Sequence, residues 1–255
     1  MTASRLEQLE KRIAHRMGEA ILEWGLIEPG DKILVAVSGG KDSSTLLHLL
    51  RRFQARAPVR FEILAFHLDQ GRPGPLADRV REYLESAGYP HVIVRKDIAS
   101  LVKEKVPEGE TPCALCSRFR RGIIYNAAVD LGCTKIALGH HRDDTIETLL
   151  LNLFFEGQLK GMPAKLASDD GRNTVIRPLI YVPESDIREF AALAGLPALS
   201  CEGCGGTERD RMGSLLDELG ARIPEIRGNI LAAMRRVRPT HLLDPTLGTR
   251  PDKKL

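Results

Sequence analysis

Residues 32–43 constrain the fold more than any other stretch of this chain. Ile33-Leu-Val-Ala-Val37 is an unbroken apolar run of the kind that forms a strand buried on both faces. Ser38-Gly39-Gly40-Lys41-Asp42-Ser43 follows at once, and then a helical pattern with Leu46, Leu47, Leu49 and Leu50 on its apolar side. A doubly buried strand passing through two glycines straight into a helix belongs to a parallel sheet with crossover helices. The same alternation recurs down the chain. Strands are expected at residues 61–68, 91–95, 134–138 and 175–180, and helices at 76–87, 117–131, 144–155 and 183–194. The predicted fold class is therefore α/β: a Rossmann-like parallel sheet flanked by helices.

The two ends differ from this core. An N-terminal helical segment (residues 1–30) places Leu6, Leu9, Ile13, Met17, Ile21 and Trp24 on one stripe, with Ser4 and Glu7 read as a capping box. The core spans residues 31–200. After it, residues 201–244 read as helices only, with Ile223, Ile226, Ile230, Met234 and Val237 as a core-facing stripe, and residues 245–255 as a frayed tail. At 255 residues, 43% hydrophobic and 28% charged, the chain can bury a full core, which excludes a disordered or collagen-like chain. Runs such as 33–37 are too short to cross a bilayer, and the first sixteen residues lack the apolar core of a secretion signal. The expected location is the cytoplasm, with no membrane partner.

The hexapeptide at 38–43 carries the sharpest chemistry. Its glycines let backbone N–H groups approach an anion, and the helix it opens adds a favourable dipole. Ser38, Lys41 and Ser43 supply two hydroxyls and a cation for phosphate oxygens. The G-x-x-x-x-G-K-[ST] spacing of a Walker A loop is absent. At the end of the fourth strand, His140, His141, Asp143 and Asp144 lie where ligands gather in open α/β sheets. Asp143 and Asp144 suit Mg²⁺, although Asp144 reads equally well as a helix cap. Asp69, ending the second strand, reads either as pocket-facing or as an ordinary turn residue.

Five cysteines include two pairs, Cys113-Ala-Leu-Cys116 and Cys201-Glu-Gly-Cys204, with Cys133 read as a small buried residue. Both pairs fit a four-thiolate zinc site, a cluster or redox chemistry. The first pair is expected on a loop just before a helix. Arg118, Arg120 and Arg121 follow it, with Arg118 and Arg121 on one helical face suited to a nucleic-acid backbone. Net charge is only +3, but 26 of the 37 basic residues are arginine, which suits phosphate recognition and equally reflects a GC-rich genome. Arg222, Arg227, Arg235, Arg236 and Arg238 add a second basic region.

Residues 38–43 resemble the PP-loop of the ATP-pyrophosphatase superfamily, whose members cleave ATP between the α- and β-phosphates. The runs 113–122 and 137–144, Gly161-Met-Pro163, Ile176-Arg-Pro-Leu179 and Cys201-x-x-Cys204-Gly are together similar to the tRNA 2-thiocytidine synthetase (TtcA) family. The resemblance covers residues 31–241. It implies an ATP-dependent tRNA sulfurtransferase that adenylates the 2-oxo group of a cytidine, at position 32 of the anticodon loop, and replaces it with sulfur. It further implies a [4Fe-4S] cluster on Cys113, Cys116 and Cys204, with Cys201 as a secondary candidate. Lys41 and Asp42, with Cys113 and Cys116, would be catalytic.

ATP, with Mg²⁺, would meet Ser38, Gly39, Gly40, Lys41, Asp42, Ser43, Phe66, His67, Asp69, Gly139, His140 and Asp144. Arg118 and Arg121 would meet tRNA, a cysteine desulfurase would supply sulfur, and two copies would form a homodimer. The run after Cys204 departs from the family's Gly-Ser-Gln-Pro-Asn, which loosens the choice of nucleotide. Alternatives are the related TtuA branch, which makes 2-thiouridine but carries terminal zinc-finger cysteines absent here, and a cluster-free ligase for a small molecule. A zinc-bound RNA-binding module is the third.

Overall fold

A computed structural model describes residues 2–71, 74–98, 113–168, 170–199, 208–244 and 246. The chain divides into two compact units, one of Met1–Thr145 with Pro163–Cys204, the other of Ile146–Met162 with Gly205–Leu255.

The first unit is built on a six-stranded sheet in the order β3-β2-β1-β4-β6-β5. Its strands are β1 (Lys32–Ala36), β2 (Glu62–Asp69), β3 (His91–Arg95), β4 (Lys135–Ala137), β5 (Lys165–Ala167) and β6 (Thr174–Ile176). All pairings are parallel except that of β5 with β6. Leu34 of β1 stands between Leu64 of β2 and Ile136 of β4, so the central strand is apolar on both sides. From β1 the chain builds outward through β2 and β3, then returns to lay β4 and β6 on the other side. That reversal opens a crevice beyond the carboxyl ends of β1 and β4, where open α/β sheets bind ligands.

Helices cover the faces: α1 (Thr2–Trp24), α2 (Lys41–Gln54), α3 (Leu76–Ser86), α4 (Cys113–Asp130), the start of α5 (Arg142–Leu151), and α6 (Glu184–Leu193). The predicted stripe of α1 buries Leu9, Ile13 and Met17 fully. Its end stays open: Trp24 is exposed and donates its indole N–H to Tyr181 Oη at 2.7 Å. α6 packs on α1 and α2, and α4 covers a cluster of Leu34, Phe66, Leu68 and Ile136 with Phe119, Ile123 and Ala128.

The second unit holds the end of α5, a π-helical turn at Asn152–Glu156, α7 (Glu208–Arg222) and α8 (Ile226–Arg235). Ile146, Leu150, Met212 and Leu216 form its core, with Leu215, Ile230 and Leu231 against them. Arg209 bridges from α7 to Glu147 at 3.3 Å and Thr148 at 3.1 Å.

Several expectations need correction. The fifth predicted strand, residues 175–180, is β6 and ends at Ile176. Pro178 has no N–H for a ladder, and the chain turns instead, with the Ile180 N–H on the Arg177 carbonyl at 3.2 Å. The short antiparallel edge β5 carries no alternating pattern and escaped the sequence reading. Ser4 lies inside α1, so it is not a cap with Glu7. α4 begins at Cys113, a turn earlier than predicted, which puts the first cysteine pair in a helix and not on a loop. Pro112, just ahead of it in sequence, was the available signal. The stripe on the terminal helices is only partly core: Ile223 and Val237 are exposed. Cys133 is half-buried, and burial raises its thiol pKa. No described helix is long and apolar enough to cross a membrane.

Candidate active site

The loop after β1 is closed on itself by hydroxyls. Ser43 Oγ accepts the Ser38 N–H at 3.1 Å, donates to the Gly40 carbonyl at 3.1 Å, and lies 3.1 Å from Ser38 Oγ. Gly40 in turn donates its N–H to Ser38 Oγ at 3.3 Å. Gly39 sits at φ +91, a left-handed conformation, and a Cβ there would lie 2.9 Å from Val80 Cγ2. Gly40 is the N-cap of α2 and, as a glycine, places no capping side chain on the helix's first N–H groups, the arrangement an anion site at a helix N-terminus uses.

Gly139, just past β4, is pressed against that first turn. An added Cβ would stand 2.9 Å from Ser43 N and 3.0 Å from Asp42 C, both backbone atoms. Only glycine allows this approach. It fixes the end of β4 to the start of α2 and brings His140 beside the loop.

A network of charges runs from this contact. Lys41 Nζ lies 3.1 Å from Asp42 Oδ2 and 3.0 Å from Glu184 Oε1. Burial opposes the Lys41 charge, but Asp42 and Glu184 outweigh it and raise the pKa. Burial also opposes ionisation of Glu184, yet Lys41 and Arg188 hold its carboxyl down at about 2. The other Asp42 oxygen, Oδ1, is buried with no hydrogen-bond partner, and His141 Nε2 at 3.8 Å is too far to serve as one.

Asp144 has a visible structural job. His141 caps α5, and the two residues exchange bonds: the His141 N–H donates to Asp144 Oδ2 at 2.9 Å, and the Asp144 N–H to His141 Nδ1 at 3.4 Å. This is a capping box with histidine in the Ser/Thr role. Asp143 accepts the Glu184 N–H at 2.8 Å and pairs with Arg142 at 3.1 Å.

The end of β2 supplies the remaining predicted residues. Phe66 is buried in the core, and its carbonyl accepts the Val37 N–H at 2.8 Å. His67 donates its Nδ1 hydrogen to the Val37 carbonyl at 2.8 Å, and burial lowers its pKa. Burial thus disfavours the charged ring, and its buried Nε2 has no hydrogen-bond partner among the described residues. Asp69 acts as a turn residue, accepting the Gly71 N–H at 2.9 Å, with Arg95 3.6 Å away.

Cys116 is half-buried in the first turns of α4, and its thiol reaches Gln70 Oε1, just beyond β2, at 3.6 Å. Arg118 and Arg121 point to solvent further along the same helix. The Cys113 side chain, Cys201 and Cys204 lie outside the described residues. Among the described residues, no group of three or more His, Cys, Asp or Glu side chains is placed to hold a metal ion.

Glu184 is the residue that sequence reasoning missed, while Gln70 and Arg177 lie in runs (68–71 and 176–179) read as pocket-facing and as part of the family resemblance, without a role of their own. Arg177, 9% exposed at the end of β6, donates to the Pro163 carbonyl at 2.7 Å, and its Nε has no partner. Burial lowers its pKa, although a guanidinium stays charged in proteins. Spacing could not have placed any of the three, because each is brought in by the sheet.

A glycine-bearing loop between β1 and α2, at the switch point of a parallel sheet, is the arrangement of a PP-loop domain. The PP-loop domain family matches residues 6–198. A tRNA-cytidine(32) 2-sulfurtransferase of Anaeromyxobacter sp. (strain K) is 51% identical over 245 residues, 95% of this chain and 84% of that one. Another of that name, from Sorangium cellulosum (strain So ce56), is 50% identical over 246 residues, 95% and 87% of the two chains. The U34-tRNA thiolase NcsA from Methanococcus maripaludis, solved with its [4Fe-4S] cluster, shares the fold. Its TM-score is 0.74 at 20% identity, covering 91% of this chain and 79% of that one. The chain belongs to the PP-loop family and, within it, to the tRNA-cytidine 2-sulfurtransferases.

Proposed function

We propose that this protein uses ATP to activate and thiolate a cytidine in the anticodon loop of tRNA, at position 32, the number its relatives' name carries. The 2-oxo oxygen attacks the α-phosphorus of ATP, the bond to the β-phosphate breaks, and pyrophosphate leaves. Hydrosulfide then attacks carbon 2, and AMP departs carrying the original oxygen. Lys41 and the open N-terminus of α2 stabilise charge on the phosphates. The Gly139 contact keeps that N-terminus in register with the end of β4. The backbone around Phe66 and His67 would meet the adenine.

For Mg²⁺, Asp42 fits best, since its Oδ1 is a buried oxygen without a hydrogen-bond partner; phosphate oxygens would supply further ligands. Asp144 serves mainly as a cap. For the cluster, Cys113 and Cys116 are three apart in the first turn of α4, so their positions share one helical face and suit a common ligand. Cys204, or Cys201, would complete the set. A [4Fe-4S] cluster held by three thiolates supplies an iron open to hydrosulfide.

The observation that carries this reading is that the PP-loop and Cys116 meet neighbouring strand ends. The loop leaves β1, and the thiol touches Gln70 just beyond β2, in the strand paired with β1. Base activation and sulfur chemistry would then share the carboxyl end of the sheet. Arg118 and Arg121, exposed on the helix that carries Cys116, would meet the tRNA backbone. A cysteine desulfurase supplies the hydrosulfide. Two copies pair, which the exposed Phe154, Phe155 and Leu159 of the second unit support. In a reaction with tRNA, ATP and sulfide, AMP and pyrophosphate should form in equal amounts and only when tRNA is present. ADP and phosphate as products would refute the adenylation step.

A further inference from the structure

Glu184 is absent from the loop motif, yet it makes the shortest ion pair to the loop's lysine, at 3.0 Å. It is the first residue of α6, and three contacts fix it. Its backbone N–H is anchored on Asp143 Oδ2 at 2.8 Å. Arg188, one turn along α6, holds the same Oε1 at 3.0 Å. Lys41 completes the set. Glu184 therefore ties α2, the start of α5 and α6 together at one point.

A carboxylate beside a phosphate-binding lysine does not serve affinity, because it repels an incoming polyphosphate. Asp42 already neutralises Lys41, so a second acid is not needed to pair the charge. What Glu184 adds is direction: Lys41 has a flexible four-carbon stem with much rotamer freedom, and two carboxylates on different elements confine its ammonium to one position. We infer that Glu184 is a positioning residue that holds the Lys41 ammonium in line for the α-phosphate, at some expense in nucleotide affinity. This rests on the reading that Lys41 meets the phosphates of ATP.

The test compares wild type with Glu184→Gln and Glu184→Asp. Three quantities are measured: tRNA-dependent pyrophosphate release, the Kd of a non-hydrolysable ATP analogue by calorimetry, and the melting temperature. Misplacing a reacting group by about 1 Å can slow a reaction about 100-fold, so kcat should fall about 10- to 100-fold in Glu184→Gln. The analogue should bind as tightly as to wild type or more tightly, with the melting temperature lower by a few degrees at most as the ion pairs to Lys41 and Arg188 are lost. Glu184→Asp, which keeps the charge but shortens the reach, should also lose kcat without losing affinity. Wild-type kcat in both variants would overturn the inference. So would a Kd that weakens in step with kcat, because Glu184 would then shape the site as a whole. Lys41→Met, run alongside, separates the two layers: if it keeps wild-type pyrophosphate release, the assignment of Lys41 to the phosphates fails, whatever Glu184 does.

Discussion

At the scale of single residues, the site depends on where side chains are missing as much as on where they are present. Gly139 shows this most directly. A methyl group there would meet backbone at 2.9 Å and 3.0 Å, and backbone in a helix's first turn cannot swing aside as a side-chain tip can. Gly139→Ala should displace the start of α2 and weaken binding of an ATP analogue at least about tenfold, with a stability loss of about 1–3 kcal/mol. Calorimetry and thermal melts measure the two effects. Far from the site, Lys135 is 5% exposed between Glu28 Oε2 at 2.6 Å and Asp31 Oδ2 at 2.7 Å. Burial works against the Asp31 carboxylate, but Lys135, Thr134 and the Glu28 N–H outweigh it and lower its pKa. Lys135→Met leaves Asp31 without its cation and should cost about 3 kcal/mol at neutral pH. A lowered carboxyl pKa contributes stability above the unfolded value and loses it as pH falls through the folded value. The gap between wild type and variant should therefore narrow in acid below about pH 4. Denaturant unfolding from pH 7 to pH 3 measures it, and a gap independent of pH would refute this account of the pair.

At the scale of elements, burial and not charge holds the helices in place. Arg5 and Arg12 of α1 make bidentate pairs with Glu189 and Asp186 of α6. The first pair is well exposed, at 48% and 41% of its side-chain area. Arg5→Ala should therefore leave stability almost unchanged. Leu216 of α7, fully buried among Ile146, Leu150 and Met212, should cost about 2–5 kcal/mol when cut to alanine. Equilibrium unfolding of the two variants ranks them. The helix stripes and the first four strands were legible in the sequence because each has a run of apolar residues at the right period. The edge strand β5 was not, since three residues carry no period, and the end of β6 was hidden because residues 179–182 stay apolar and buried after the strand has stopped. The site was legible where it is local. The loop at 38–43 and the pair at 113–116 are contiguous, whereas Glu184, Gln70 and Arg177 become neighbours of the site only once parallel strands align their carboxyl ends.

At the scale of the whole molecule, the central proposal is that a PP-loop domain activates a tRNA base and that Cys116, at the same carboxyl end of the sheet, takes part in delivering the sulfur. Nucleoside mass spectrometry tests it directly, on tRNA incubated anaerobically with iron- and sulfide-reconstituted protein, ATP, Mg²⁺ and sulfide. Cys116→Ala and a reaction without ATP run beside it. The account predicts 2-thiocytidine in the complete reaction and none when either ATP or Cys116 is missing. 2-Thiouridine would leave the chemistry standing and overturn the choice of base. No thiolated nucleoside at all, from protein shown to hold iron and bind ATP, would contradict the claim itself.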